Sequence, residues 1–223
     1  VLLVYVDDII LTGNSEVELK KVKSFMTTQF LIKDLGTLKY FLGIEVVKFD
    51  SGLCLNQRTY CLELLHEYGM LGCKPVTTPL ETNFVINSDN HDGKNELLEN
   101  KIEFQKLIGK LIYLTVTRPD ISYAVQVLSQ YMHSPRKLHL NIAFRLLRYL
   151  KNSPGKGIAL TKSSVLELKG FVDADWAKCL ATRRSVSGYM VYLNNCLISW
   201  KSKKQSTVSR SSTESEYRAL GSI

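Results

Sequence analysis

The chain has 223 residues, 45% of them hydrophobic and 22% charged, with a formal net charge of +8 at pH 7. This is an ordinary balance for one or two globular domains. No apolar stretch approaches the ~20 residues of a membrane span, and five cysteines without CxxC spacing argue against both a disulfide framework and a zinc site. The basic excess favours an anionic partner, with nucleic acid first; a generally basic protein is the bland alternative.

The chain opens Val1-Leu2-Leu3-Val4-Tyr5-Val6-Asp7-Asp8-Ile9-Ile10-Leu11-Thr12-Gly13. Apolar runs on either side of Asp7 and Asp8 predict a β-hairpin with an acidic tip. The flanks are expected to bury both strands and hold the carboxylates in place. Like charges this close repel unless a cation lies between them or one is protonated. A divalent metal, and with it phosphoryl transfer, is therefore the first chemistry to consider. Without a basic leader these first residues are not expected to be a signal peptide, and the start at Val1 rather than Met is read as a piece of a longer protein.

Asn14 or Ser15 can cap a helix over residues 16–30. Its buried face is expected at Val17, Val22, Phe25, Met26 and Phe30, with Lys20, Lys21 and Lys23 in water. Residues 38–48 have strand composition, and Asp50-Ser51-Gly52 predicts a hairpin turn into residues 53–56. A helix over 59–68 stops near Gly69, and Pro75, Pro79 and the polar stretch 83–95 mark a loop. Helices over 96–117, 121–133 and 136–151 predict a helical bundle, interrupted at Arg118-Pro119-Asp120. Ser153-Pro154-Gly155 is the expected domain boundary. Strands follow over 157–160, 166–172, 188–193 and 196–201, with Asn194-Asn195 as the last turn, then a helix from 211 capped by Ser212 or Thr213. His66, His91, His133 and His139 lack metal-ligand spacing and are expected to pack or to face water.

Six stretches in order carry a resemblance. They are Tyr5-Val6-Asp7-Asp8, Leu38-Lys39-Tyr40-Phe41-Leu42-Gly43-Ile44-Glu45, Thr117-Arg118-Pro119-Asp120-Ile121, Asp173-Ala174-Asp175-Trp176-Ala177, Arg183-Arg184-Ser185-Val186-Ser187-Gly188-Tyr189, and Ser209-Arg210-Ser211-Ser212-Thr213-Glu214-Ser215-Glu216-Tyr217. The first matches the Tyr-x-Asp-Asp signature of reverse transcriptases. Together they resemble the Pol polyprotein of copia-type LTR retrotransposons, in the form found in plants. The resemblance implies an α+β chain with three parts. Residues 1–80 are the C-terminal part of a polymerase palm and the start of the thumb. Residues 81–153 are the helical thumb and connection. Residues 154–223 are the N-terminal part of an RNase H-like domain.

The same resemblance implies the chemistry. Two-metal catalysis with Mg²⁺ (or Mn²⁺) ~4 Å apart serves both primer extension and hydrolysis of the RNA strand of an RNA–DNA hybrid. Magnesium prefers carboxylate oxygens. Asp7 is the implied direct ligand, Asp8 its less central neighbour, and Tyr5 lies near the primer terminus. Asp173 and Glu216 are the implied RNase H ligands, with Asp175 and Glu214 as their neighbours. Implied partners are primer–template, RNA–DNA hybrid and, in the full-length enzyme, dNTP. The expected compartment is intracellular, a cytoplasmic particle or the nucleus. Lys201, Lys203, Lys204 and Arg210 are placed as phosphate contacts, as are Arg183 and Arg184. Without the resemblance, Asp173 and Asp175 read as a solvated strand end, and Glu214 and Glu216 as acids favoured by a helix dipole. Trp176 is expected to be core packing.

Each implied centre lacks a further carboxylate, so the chain alone is expected to have little or no activity. The rival reading is a non-catalytic basic nucleic-acid-binding remnant. Lys178-Cys179 and Phe104-Gln105 depart from the family pattern without touching an implied ligand.

Overall fold

The computed structural model describes residues 1–81 and 96–223; the expected loop over 83–95 lies outside them. The described residues form three antiparallel sheets and six α-helices. Strands β1 (Leu2–Tyr5) and β2 (Asp8–Leu11) make the predicted hairpin, with Tyr5 opposite Asp8. Helix α1 (Glu16–Gln29) follows, its N-terminus capped when the Ser15 side chain accepts from Glu18 N–H.

The expected burial of this region is not seen. Leu2, Leu3, Val4 and Ile9 are exposed, and so are Val17, Val22, Phe25 and Phe30 of the proposed α1 face. Among the described residues the hairpin strands pack chiefly on each other and α1 has no buried residue. The periodicities are right for a strand and a helix, but period sets only which side would be buried. An element must lie against that side to bury it.

The single strand expected over 38–48 is two strands, β3 (Tyr40–Phe41) and β4 (Ile44–Phe49). Leu42 and Gly43, at φ 49° and 74°, turn the chain between them, as a two-residue hairpin requires. β4 continues through Asp50 and Ser51 into β5 (Gly52–Asn56). The strand after the Ser153-Pro154-Gly155 break, β6 (Gly157–Thr161), pairs along the whole of β5. One sheet, ordered β3-β4-β5-β6, therefore joins segments a hundred residues apart.

The helical middle does form a bundle. α2 (Arg58–Glu67), α3 (Lys101–Leu114), α4 (Ser122–Ser129) and α5 (Lys137–Asn152) share one apolar core, with Leu65, Leu107, Leu128, Leu146 and Leu147 fully buried. α3 begins later than predicted because Asn100 caps it, accepting from the Ile102 and Glu103 N–H groups. Leu97 instead bridges to Arg136. The helix expected over 121–133 is shorter, entered by a 3₁₀ turn at Pro119–Ile121.

A buried clasp holds the bundle to the chain beyond it. Arg118 is 2% exposed and donates to both Asp120 carboxylate oxygens at 3.0 and 2.9 Å, and to Ser153 O at 2.9 Å. Tyr149 Oη donates to Asp120 at 2.7 Å, and Lys156 approaches it at 3.3 Å.

The third sheet is β7 (Leu168–Asp175), β8 (Val186–Leu193) and β9 (Cys196–Lys204). Asn194 and Asn195 form its two-residue turn, both at positive φ, which asparagine tolerates. β9 lies against α4 and β6, and Trp200 Nε1 donates to Thr115 O at 3.1 Å. Helix α6 (Ser212–Leu220) packs on β7 and β8. Its cap is Ser211, one residue before the expected caps, accepting from Glu214 N–H at 3.1 Å.

Candidate metal and nucleic-acid site

The hairpin tip is built by the shortest connection antiparallel strands allow. With Tyr5 paired to Asp8, only Val6 and Asp7 remain in the loop. Val6 has φ 48°, a left-handed conformation that is uncommon for a β-branched side chain. Asp7 thus sits in the loop and Asp8 begins β2, across from Tyr5. All four residues are exposed, and neither carboxylate has a hydrogen bond or ion pair among the described residues. Two adjacent, uncommitted carboxylates offer hard oxygen donors, which is what Mg²⁺ or Mn²⁺ takes.

The second acidic group lies at the end of β7. Strand alternation puts Asp173 and Asp175 on one face, and Val172 and the buried Ala174 on the other. Asp173 is exposed and uncommitted, whereas Asp175 has Lys178 at 3.6 Å. The two glutamates of α6 differ in the same way. Glu214 accepts the Arg210 N–H at 2.7 Å and pairs with Arg218 at 2.8 Å, and these bonds hold its carboxyl below the usual range. Glu216 is half-buried, and its carboxylate makes no hydrogen bond or ion pair among the described residues. Glu214 is therefore spent on the helix start, and Glu216 is the free donor. Among the described residues, no three His, Cys, Asp or Glu side chains gather round one point.

The basic run divides between two faces. Lys201 and Lys203 pair with Tyr189 and Ser187 and are exposed on one side of β9. Lys204 pairs with buried Val186 and reaches Cys179 Sγ at 3.7 Å on the other. Burial raises the Cys179 thiol, but bonds from Thr182 and the Lys204 charge outweigh it and bring it below its ordinary value. Arg210 is exposed beside the α6 cap. Arg183 is exposed, at φ 55°, with its N–H on Cys179 O at 2.7 Å, and Arg184 is half-buried. Trp176 is 47% exposed rather than core, its Nε1 donating to Ser209 O at 3.0 Å. Sequence reading gave no role to Gln205, whose side chain joins β8 to α6. A lone glutamine between a basic run and a serine-rich stretch carries no pattern that marks it.

Residues 1–82 match the family described as reverse transcriptase (RNA-dependent DNA polymerase). An uncharacterized mitochondrial protein of Arabidopsis thaliana is 45% identical over 98% of this chain and 89% of its own length. The retrovirus-related Pol polyprotein from transposon RE2 of the same plant is 47% identical over 98% of this chain. The chain belongs to the copia-type retrotransposon Pol family.

The Pol polyprotein from transposon TNT 1-94 of Nicotiana tabacum is 35% identical, again over 98% of this chain. The chain spans 15% of the RE2 Pol polyprotein and 17% of the TNT one. No solved structure matches it. Residues 5–8, within the matched region, form the hairpin tip, where both aspartates are open to solvent. Among the described residues no helix is long and apolar enough to cross a membrane.

Proposed function

We propose that these residues contribute two half-sites to a Pol enzyme: the Tyr-x-Asp-Asp turn of an RNA-directed DNA polymerase, and the first carboxylates of an RNase H centre. The observation that carries the reading is the state of the acids. Asp7, Asp8, Asp173 and Glu216 are free of protein partners among the described residues, while their neighbours Asp175 and Glu214 are engaged. A carboxylate already engaged in a cap or an ion pair, as Glu214 and Asp175 are, is less open to a metal.

Asp7 and Asp8 would hold the metal at the tip, and Asp173 and Glu216 at the second site. When bound, Mg²⁺ or Mn²⁺ neutralises phosphate charge and activates the attacking oxygen. Tyr5, opposite Asp8, is positioned to pack against a primer end. Lys201 and Lys203, with Arg210, offer charge to the backbone of a hybrid, as do Arg183 and Arg184 just before β8. The division into 1–80, 81–153 and 154–223 remains our proposal, with β6 as the strand that ties the third part to the sheet of the first. The compartment we propose is intracellular, where free thiols such as these five persist.

Each centre presents two free carboxylates, and a two-metal centre needs more. The 223-residue chain is therefore expected to bind RNA–DNA hybrid in a salt-dependent way and to turn over neither reaction by itself. Primer extension on RNA and hybrid cleavage, each with Mg²⁺, test this. Extension by the isolated chain would overturn it. Hybrid binding that is indifferent to Lys201→Ala and Lys203→Ala would remove the nucleic-acid surface from the proposal.

A further inference from the structure

We infer that Gln205 is a positioning residue for Glu216, an inference that rests on the RNase H reading above. Gln205 follows β9 directly, and its backbone N–H donates to Ser185 O at 2.9 Å. Its side-chain amide donates both protons, one to Ser187 Oγ at 2.9 Å and one to Ser215 O at 3.0 Å. Its carbonyl oxygen accepts from Ser209 Oγ at 2.9 Å. Every donor of the residue is used.

The partners are what give this arrangement its consequence. Ser187 lies opposite Ala174, the residue between Asp173 and Asp175 on β7. Ser215 immediately precedes Glu216 and is fully buried, as is Ser185, and Ser209 is 2% exposed. Ser209 O in turn accepts from Trp176 Nε1, and Ser185 Oγ accepts from Ala177 N–H at 3.1 Å. The end of β7 that bears the aspartates is thus connected, through one glutamine and four serines, to the turn of α6 that bears Glu216.

The buried packing around this connection is made by small side chains. α6 has nine residues, and Ser215 and Ala219 are its only buried ones. Small side chains fix the distance of a helix from a sheet but give little grip against sliding along it. The directional bonds from Gln205 supply that grip, because hydrogen bonds are sharply dependent on distance and angle. Buried polar groups left unpaired are costly, which favours the fully bonded arrangement over a shifted helix. Gln205 does not touch the metal or the hybrid; it sets where the first turn of α6, and with it Glu216, stands against the end of β7.

The experiment titrates Mn²⁺ into the 223-residue chain and follows paramagnetic broadening of the Asp173 and Glu216 amide resonances, with a thermal melt in parallel. In the unaltered chain both amides broaden at the same Mn²⁺ concentration. Gln205→Glu keeps the acceptor for Ser209 and loses both amide donors, and Gln205→Ala loses all three bonds. In either variant both amides should need about fivefold more Mn²⁺, roughly the effect of one lost hydrogen bond. The Asp7 and Asp8 amides should keep their concentration, and the melt should stay cooperative. Unchanged broadening at both amides in both variants would overturn the role of Gln205 and leave the RNase H reading standing. A purely structural role is the result if both variants lose the cooperative melt, and that too overturns positioning. No shared Mn²⁺ response in the unaltered chain would overturn the reading and the inference together.

Discussion

Half-buried Asp120 and buried His139 set how this chain should respond to acid. Burial alone would raise the Asp120 carboxyl, but the bonds from Arg118 and Tyr149 and the charges of Arg118 and Lys156 hold it at about 2. Its folded pKa lies below the unfolded value. The stability it contributes is therefore present above about pH 3.9 and lost as pH falls towards 2. Asp120→Asn leaves Arg118 buried without its counter-charge, and a cost of about 3–5 kcal/mol is expected in urea unfolding at neutral pH. His139 acts earlier in the descent. Burial, then the Arg136 charge, lowers it to about 4. Its Nδ1 accepts the Arg136 N–H at 3.0 Å, and Nε2 finds no partner among the described residues. Tyr131 stacks on the ring at 4.0 Å. The unfolded histidine takes up its proton near pH 6.5, which the folded one refuses until about 4. Stability should fall across that window by up to about 3 kcal/mol, and His139→Gln should flatten the fall when urea midpoints are compared at its two ends.

At the scale of elements, the contrast between α1 and the bundle helices makes the sharpest prediction. Leu147 is fully buried and Phe25 is 62% exposed, although both sit on regular apolar faces. Leu147→Ala should cost about 2–5 kcal/mol, while Phe25→Ala should stay within about 0.5 kcal/mol. Equal losses in urea unfolding would mean that α1 is packed in solution. The β3–β4 turn gives a second test. A Cβ on Gly43 would lie 2.6 Å from Tyr113 Oη, at a φ of 74°. Gly43→Ala should therefore cost at least ~1–2 kcal/mol, the strain of a left-handed residue. These elements also show what the sequence could disclose. The hairpin tip was legible because adjacent acids between apolar runs and a short turn are local features. The Leu42-Gly43 turn left a signal in the glycine, but strand-like neighbours masked it. The exposure of α1 left none, since no pattern within a helix states whether another element covers it.

Across the whole molecule, the non-local arrangements were the illegible ones. Nothing in residues 157–161 says that they pair with residues 52–56, because a period-2 pattern fixes a face and not a partner. The same holds for Gln205, whose importance lies in three partners brought to it by different elements. The candidate acids were legible through their motifs, and the structure added which of each neighbouring pair is free. The central claim is that Asp7 with Asp8, and Asp173 with Glu216, form two separate half-sites for a divalent metal. Electron paramagnetic resonance of Mn²⁺ titrated into the chain counts bound ions directly. The account predicts two weak sites in the unaltered chain, one in Asp7→Asn, one in Asp173→Asn and none in the double variant. A count that survives the double substitution would contradict it.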